Sequence, residues 1–148
     1  MGLLDATGEE PKSKLRRWIV TGAVFALLMA FGVWWVLRFH AEKQIVEQFL
    51  QAVIADDLQK AYQIWKPSGS YSYKDFVDDW SASGYYGPIK SYRIETAQKD
   101  SDASGVTVVV ELSPFDPFPD NDDRVKNYRT KEVRLWVESK DLSLGFAP

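Results

Sequence analysis

The chain has 148 residues, 45% of them hydrophobic and 14% aromatic, with a net charge of −3, one histidine and no cysteine. That length holds one modest domain and one further segment, and the lack of cysteine excludes disulfides, thiol chemistry and a lipid-modified cysteine. From residue 39 onward, 18 Asp and Glu outnumber 13 Lys and Arg, with no basic cluster, a poor electrostatic match for nucleic acid or anionic lipid.

Residues 1–17 are rich in small and charged side chains and contain Pro11; they are expected to form a disordered leader. Their start, Met1-Gly2-Leu3-Leu4-Asp5-Ala6, lacks the Ser or Thr at position 6 that a myristoylation signal needs. The run WIVTGAVFALLMAFGVWWVL, residues 18–37, follows with no charged side chain. Twenty residues of helix measure about 30 Å, the thickness of a bilayer's hydrocarbon core. Trp18 stands at one end and Trp34 and Trp35 near the other, where indole rings favour the headgroup region. A buried core helix would show a polar face, and this run offers only Thr21. A cleaved signal peptide would have a shorter apolar stretch, and here the apolar residues continue past Ala30-Phe31-Gly32 to Leu37. The run is read as an uncleaved transmembrane helix. Lys12, Lys14, Arg16 and Arg17 precede it, against Arg38 and Lys43 close beyond it. The positive-inside bias therefore predicts an inner-membrane protein with residues 1–17 in the cytoplasm and residues 38–148 periplasmic or extracellular.

The stretch RFHAEKQIVEQFLQAVIADD carries Ile45, Phe49 and Val53 beside Val46, Leu50 and Ile54, one apolar stripe of a helix. No glycine or proline lies between Gly32 and Pro67, so the membrane helix is expected to run straight into it. Asp57 is the N-cap expected of a second helix with Leu58, Ala61, Tyr62 and Trp65 on one side. Ser72 and Asp75 make a capping-box pattern, weakened because Asp is shorter than Glu. It opens a third helix with Tyr73, Phe76, Val77 and Trp80 at helical spacing, closed by Ser83-Gly84. After Gly87-Pro88 the period changes to two. IKSYRIET, VTVVVEL, KEVRLWVE and LSLGF read as four strands. The fold class expected is α+β: a transmembrane helix, then about three helices packed on a curved four-stranded antiparallel sheet.

Between the second and third strands lies SPFDPFPDNDDRVKNY, residues 113–128. Read as a calcium loop from Asp120, it has Arg124 at position 5 and Val125 where glycine is needed, so the pattern fails. Its prolines stiffen it and its acids solvate it. Phe115 and Phe118 either fold back over the sheet end or anchor a partner, and the cost of exposed aromatic pairs favours fold-back. Tyr85 and Tyr86, between Gly84 and Gly87, stand at the helix-to-strand crossing, lining a ligand site or covering the core's edge. Trp136 points away from Val133, Leu135 and Val137, which predicts a covered outer sheet face: a second copy or a membrane-protein partner. His40, the one histidine, is two residues past Arg38 and has no pocket to serve. No catalytic, cofactor-binding or metal-ligating constellation is recognised.

FLQAVIADDLQKAYQIW, with Asp57 and Ala61-Tyr62, then Phe76 with Trp80 and Gly87-Pro88-Ile89, resembles the nuclear transport factor 2-like, or cystatin-like, α+β superfamily over roughly residues 42 to 147. Within it, the chain resembles the single-pass, membrane-anchored members of unknown function found in bacteria. The resemblance implies a sheet wrapped over a long helix with a conical pocket, used by some members for isomerase or dehydratase chemistry and by others for binding. Of the acid pairs, at most one member of each helical pair can face such a pocket. Asp57 has a capping role, and Asp78 and Asp79 are expected to face water. The function expected is a non-catalytic, membrane-anchored interaction module, an accessory or assembly subunit without a cofactor. The alternative is a small-molecule binder or isomerase-like enzyme using the conical pocket.

Overall fold

A computed structural model of the protein describes residues 10–66, 69–119 and 130–148, with side chains from residue 12 onward. The chain divides between Arg38 and Phe39 into two compact units. The first is built on α1, Glu10–Leu37, whose side chains are exposed from residue 12 onward. Helix therefore begins within the segment expected to be disordered. Pro11 falls in its first turn, where no N–H is needed. Lys12, Lys14, Leu15, Arg16 and Arg17 are good helix formers continuous with the apolar run. At the other end the Arg38 guanidinium lies 5.3 Å from the Trp34 ring centroid and 5.8 Å from that of Trp35, a cation–π arrangement.

Helix α2 spans His40–Ile54, α3 Leu58–Trp65 and α4 Tyr73–Trp80. The helix does not run unbroken from α1 into α2. Phe39 takes a left-handed conformation, φ 61°, with no side-chain cap, and its ring packs partly buried against the domain core. Burial of that ring offsets a backbone state which ordinary L residues avoid. Asp56, φ 59°, ends α2, with its N–H and that of Asp57 returning to Val53 and Ala52. Asp57 then caps α3 by accepting from Lys60 N–H at 3.2 Å. The capping box of α4 forms in full. Its arms are 3.2 and 3.3 Å, and the Ser72 hydroxyl also donates to the Asp75 carboxylate at 2.7 Å. The Ser72 bonds hold the Asp75 carboxyl below its usual range, and the shorter acid thus recruits the serine hydroxyl itself.

Strands β1 Ser91–Gln98, β2 Gly105–Ser113, β3 Lys131–Glu138 and β4 Leu144–Phe146 form one antiparallel sheet in sequence order. Ile94 pairs with Val110 and Thr96 with Val109, so Glu95 is the extra residue of a β-bulge. On the inner face, Val106, Val108, Val110 and Leu112 of β2 and Val133, Leu135 and Val137 of β3 are buried. Helix α2 lies against β1, β2 and β3, delivering Val46, Phe49, Leu50 and Val53 to this core.

Space between helices and sheet is filled by rings. Phe49 meets Trp80 edge-on at 4.8 Å and Trp65 at 5.1 Å, and Phe76 lies 6.0 Å from Phe49. These four side chains are 3% exposed or less. These rings form the centre of the domain's core. Ser113 is the buried polar residue of that core among the described residues, and its hydroxyl accepts from Phe115 N–H at 3.1 Å.

Candidate functional site

The aromatic core is not closed at one end. Trp80, the last residue of α4, stacks on Tyr86 at 4.7 Å and lies parallel to Phe146 at 6.2 Å with 4° between planes. Phe146 is also 5.9 Å from Tyr86 and 6.1 Å from Tyr71. It is 41% exposed and Tyr85 69% exposed, while Tyr71 and Tyr86 are half-buried. A continuous aromatic rim therefore reaches the surface from inside the core.

One carboxylate sits in this rim. Tyr71 donates from its hydroxyl to Asp79 Oδ2 at 2.7 Å, and Tyr62 donates to the Tyr71 carbonyl at 2.8 Å. The expectation that Asp78 and Asp79 both face water holds for exposed Asp78, whereas Asp79 is half-buried and bonded. Burial first, then the Asp79 hydrogen bond and charge, push the Tyr71 phenol well above its ordinary value, with the Trp80 indole N–H acting in the opposite direction. Burial and the Asp79 charge push Tyr86 up as well. A general acid or base works best with a pKa near the operating pH. These phenols move away from it, and the group is a set of phenol donors and rings around a carboxylate.

Alkaline unfolding tests this electrostatics. The Tyr71, Tyr86 and Tyr92 phenols all lie higher in the folded chain than their ordinary value, for Tyr92 chiefly through burial. Their contribution to stability is complete below about pH 10, the unfolded tyrosine value. It is lost as pH rises toward the folded values, because the unfolded chain gives up its protons first. Urea midpoints should hold between pH 8 and 9.5 and fall above pH 10. Tyr71→Phe should lie lower at pH 8 and fall less steeply above pH 10; an unchanged slope would mean that Tyr71 ionises in the folded chain as freely as in the unfolded one.

The loop carrying Tyr85 and Tyr86 is laid on the end of α4 by its backbone. Tyr85 N–H donates to the Asp78 carbonyl at 3.0 Å and Tyr86 N–H to that of Asp79 at 2.8 Å. The Lys131 ammonium lies 5.1 Å from the Tyr85 ring centroid and also bonds the Tyr85 carbonyl. Of the residues singled out from sequence, Tyr85 and Tyr86 thus share one surface.

The other three lie elsewhere. Phe118 receives the Arg93 guanidinium over its ring at 4.3 Å, and Arg93 Nη2 donates to the Pro119 carbonyl at 3.3 Å. Phe115, 39% exposed, accepts through its carbonyl from the Ser91 hydroxyl. Residues 120–129, including the acids read against a calcium loop, lie outside the described residues. Trp136 is on the outer sheet face, half-buried, with Thr107 as its cross-strand partner. Its ring covers Gly105, where an added Cβ would stand 2.7 Å from the indole, so it shields a glycine on the neighbouring strand. Elsewhere on this face Glu95, Gln98, Thr107, Glu132 and Arg134, with Val109 among them, line a depression of about 440 Å³. His40 is exposed at the start of α2. Tyr71 and Phe146 were not singled out from sequence, and Asp79 was weighed only as one of a pair of acids expected to face water; the eight-residue step from Tyr71 to Asp79 crosses a turn and a capped helix.

No family model, curated protein or solved structure matches the chain.

Proposed function

We propose that this chain is a single-pass, membrane-anchored, non-catalytic interaction module, an accessory or assembly subunit that meets its partner at the membrane surface. The observation that carries this reading is the aromatic cluster: rings packed at the centre of the domain continue outward to the surface as an aromatic rim. Rims of this kind, with tyrosine prominent, serve as anchors in protein interfaces.

The anchor is α1. Its residues 18–37 carry no charge and are exposed along their whole length, which costs most in water and least in lipid. Its flanking basic residues assign the N-terminus to the cytoplasm and the domain to the periplasmic side of an inner membrane. The order of elements, helices followed by four antiparallel strands, is the ground for grouping the domain with nuclear transport factor 2-like folds. Confinement beside a membrane raises the effective concentration of a partner held in the same surface. That partner is a membrane protein or a second copy of the chain.

Photocrosslinking of the full-length protein in native membranes tests the reading. A benzophenone side chain in place of Tyr85 should give one discrete adduct in a membrane fraction that resists carbonate extraction. The same group in place of the exposed Lys99, at the far end of β1, should give none. Extraction of the protein by carbonate would overturn the anchor, and equal adducts at both positions would overturn the interface.

A further inference from the structure

Asp79 stands in the last turn of α4, which contains no basic residue. That end of a helix carries the negative pole of its dipole and favours a cation. The chain places acids there instead. Asp79 is flanked by exposed Asp78, and Asp75 lies one turn back on the same side. Among the described residues Asp79 bonds the Tyr71 hydroxyl and has no lysine or arginine partner. The rings of Tyr86, half-buried, and Phe146, 41% exposed, belong to the same cluster as Tyr71, the hydrogen-bond partner of Asp79. A carboxylate at a helix C-terminus, framed by aromatic faces on a domain with excess negative charge, is complementary to a planar cation. A guanidinium both stacks on aromatic rings and hydrogen-bonds a carboxylate, which an ammonium does less well. The domain itself holds one guanidinium over a ring, Arg93 over Phe118, and one ammonium, Lys131, over Tyr85.

We propose that Tyr71, Asp79, Tyr86 and Phe146 form a seat for an arginine side chain presented by a basic segment of the partner protein. The Asp79 carboxylate, steadied by Tyr71, takes the guanidinium N–H groups. Tyr86 and Phe146 give it a ring surface, and the neighbouring acids set the charge of the segment around it. The proposal rests on the interaction-module reading and names the chemistry of its partner.

The test uses the full chain in micelles of an uncharged detergent and fluorescein-labelled heptapeptides Gly-Ser-Arg-Gly-Arg-Ser-Gly, with lysine and citrulline counterparts, followed by fluorescence anisotropy. The arginine peptide should bind about tenfold more tightly than the uncharged citrulline peptide, and more tightly than the lysine peptide. Asp79→Asn, which keeps an acceptor for Tyr71, should weaken arginine-peptide binding at least about fivefold with near-ultraviolet dichroism unchanged. Asp57→Asn, at the α3 cap, should leave binding as it was. Equal binding of the arginine and citrulline peptides, or of the arginine and lysine peptides, overturns the proposal, as does an unchanged affinity in Asp79→Asn. Failure to bind any peptide, with a dimer in sedimentation that Tyr85→Ala dissolves, also overturns it and assigns the rim to a second copy. In each of these cases a position-specific crosslink at Tyr85 would still stand, so the failure of the arginine seat is distinguishable from failure of the interaction module.

Discussion

Trp80→Ala should bring the domain to the edge of unfolding. Trp80 is 1% exposed and touches Phe49, Trp65, Phe76, Tyr86 and Phe146. Truncating a buried tryptophan costs about 3–5 kcal/mol, since the lost transfer energy is joined by a cavity that neighbours close only in part. A domain of this size has roughly 5–15 kcal/mol in total. The urea midpoint should fall by a third or more, with near-ultraviolet dichroism weakened before the transition begins. Trp80→Phe retains most of the ring volume and should cost clearly less. Tyr85→Ala is the contrast: it removes a largely exposed ring from the same rim and should stay within about 0.5 kcal/mol of the parent. Were Trp80→Ala as mild as Tyr85→Ala, the ring cluster around Trp80 would not be the core of the domain, and the reading of the rim as the outer edge of that core would lose its basis.

The difference between those two rings also shows which features could be read without a structure. Local signals sufficed wherever the physics is local. Asp57 and the Ser72–Asp75 pair cap helices because their oxygens reach N–H groups within three residues. The strands β2 and β3 declare themselves by period-two burial, with Val106, Val108 and Val110 set against Val133, Leu135 and Val137. What stayed hidden depends on distant partners. Phe146 joins the rim because β4 pairs with β3, setting it opposite Leu135, and no short-range pattern announces that it will lie parallel to Trp80. Trp136 reads in sequence as the mark of a covered outer face; that Gly105 lies beneath its ring emerges only once β2 and β3 are in register. The break at Phe39 has no glycine or proline to mark it; the domain core that receives the ring makes it worthwhile. The same holds for the candidate site. Tyr85 and Tyr86 were legible as a glycine-flanked pair at a crossing, whereas Tyr71 and Asp79 became a unit only when the hydroxyl and the carboxylate were seen 2.7 Å apart.

Those flanking glycines lead to the second large effect, Gly87→Ala. Gly87 N–H returns to the Gly84 carbonyl at 3.2 Å, and Gly84 N–H to that of Ser81 at 2.9 Å, folding the loop tightly over the end of α4. A Cβ on residue 87 would stand 1.9 Å from the Ser81 carbonyl oxygen, a contact that forces backbone to move because no flexible side-chain end is there to yield. Overpacking of this kind costs about 1–3 kcal/mol even where side chains can adjust, and a backbone obstruction belongs at the upper end. Displacement of the loop would carry Tyr86 off Trp80 and Tyr85 away from Lys131, so the variant should lose the near-ultraviolet signal of the stacked rings along with stability. Gly145→Ala is the matched control, since a Cβ there meets nothing within 4 Å, and it should differ little from the parent. If Gly87→Ala kept both its urea midpoint and its aromatic dichroism, the loop would not lie on α4 as described. Tyr86 would then be free of the Asp79 carbonyl that its N–H bonds, and the rim would no longer be a single surface. Loss of stability together with loss of binding at the rim would instead show that the glycine which brings the loop close to the helix also aligns the surface that meets a partner.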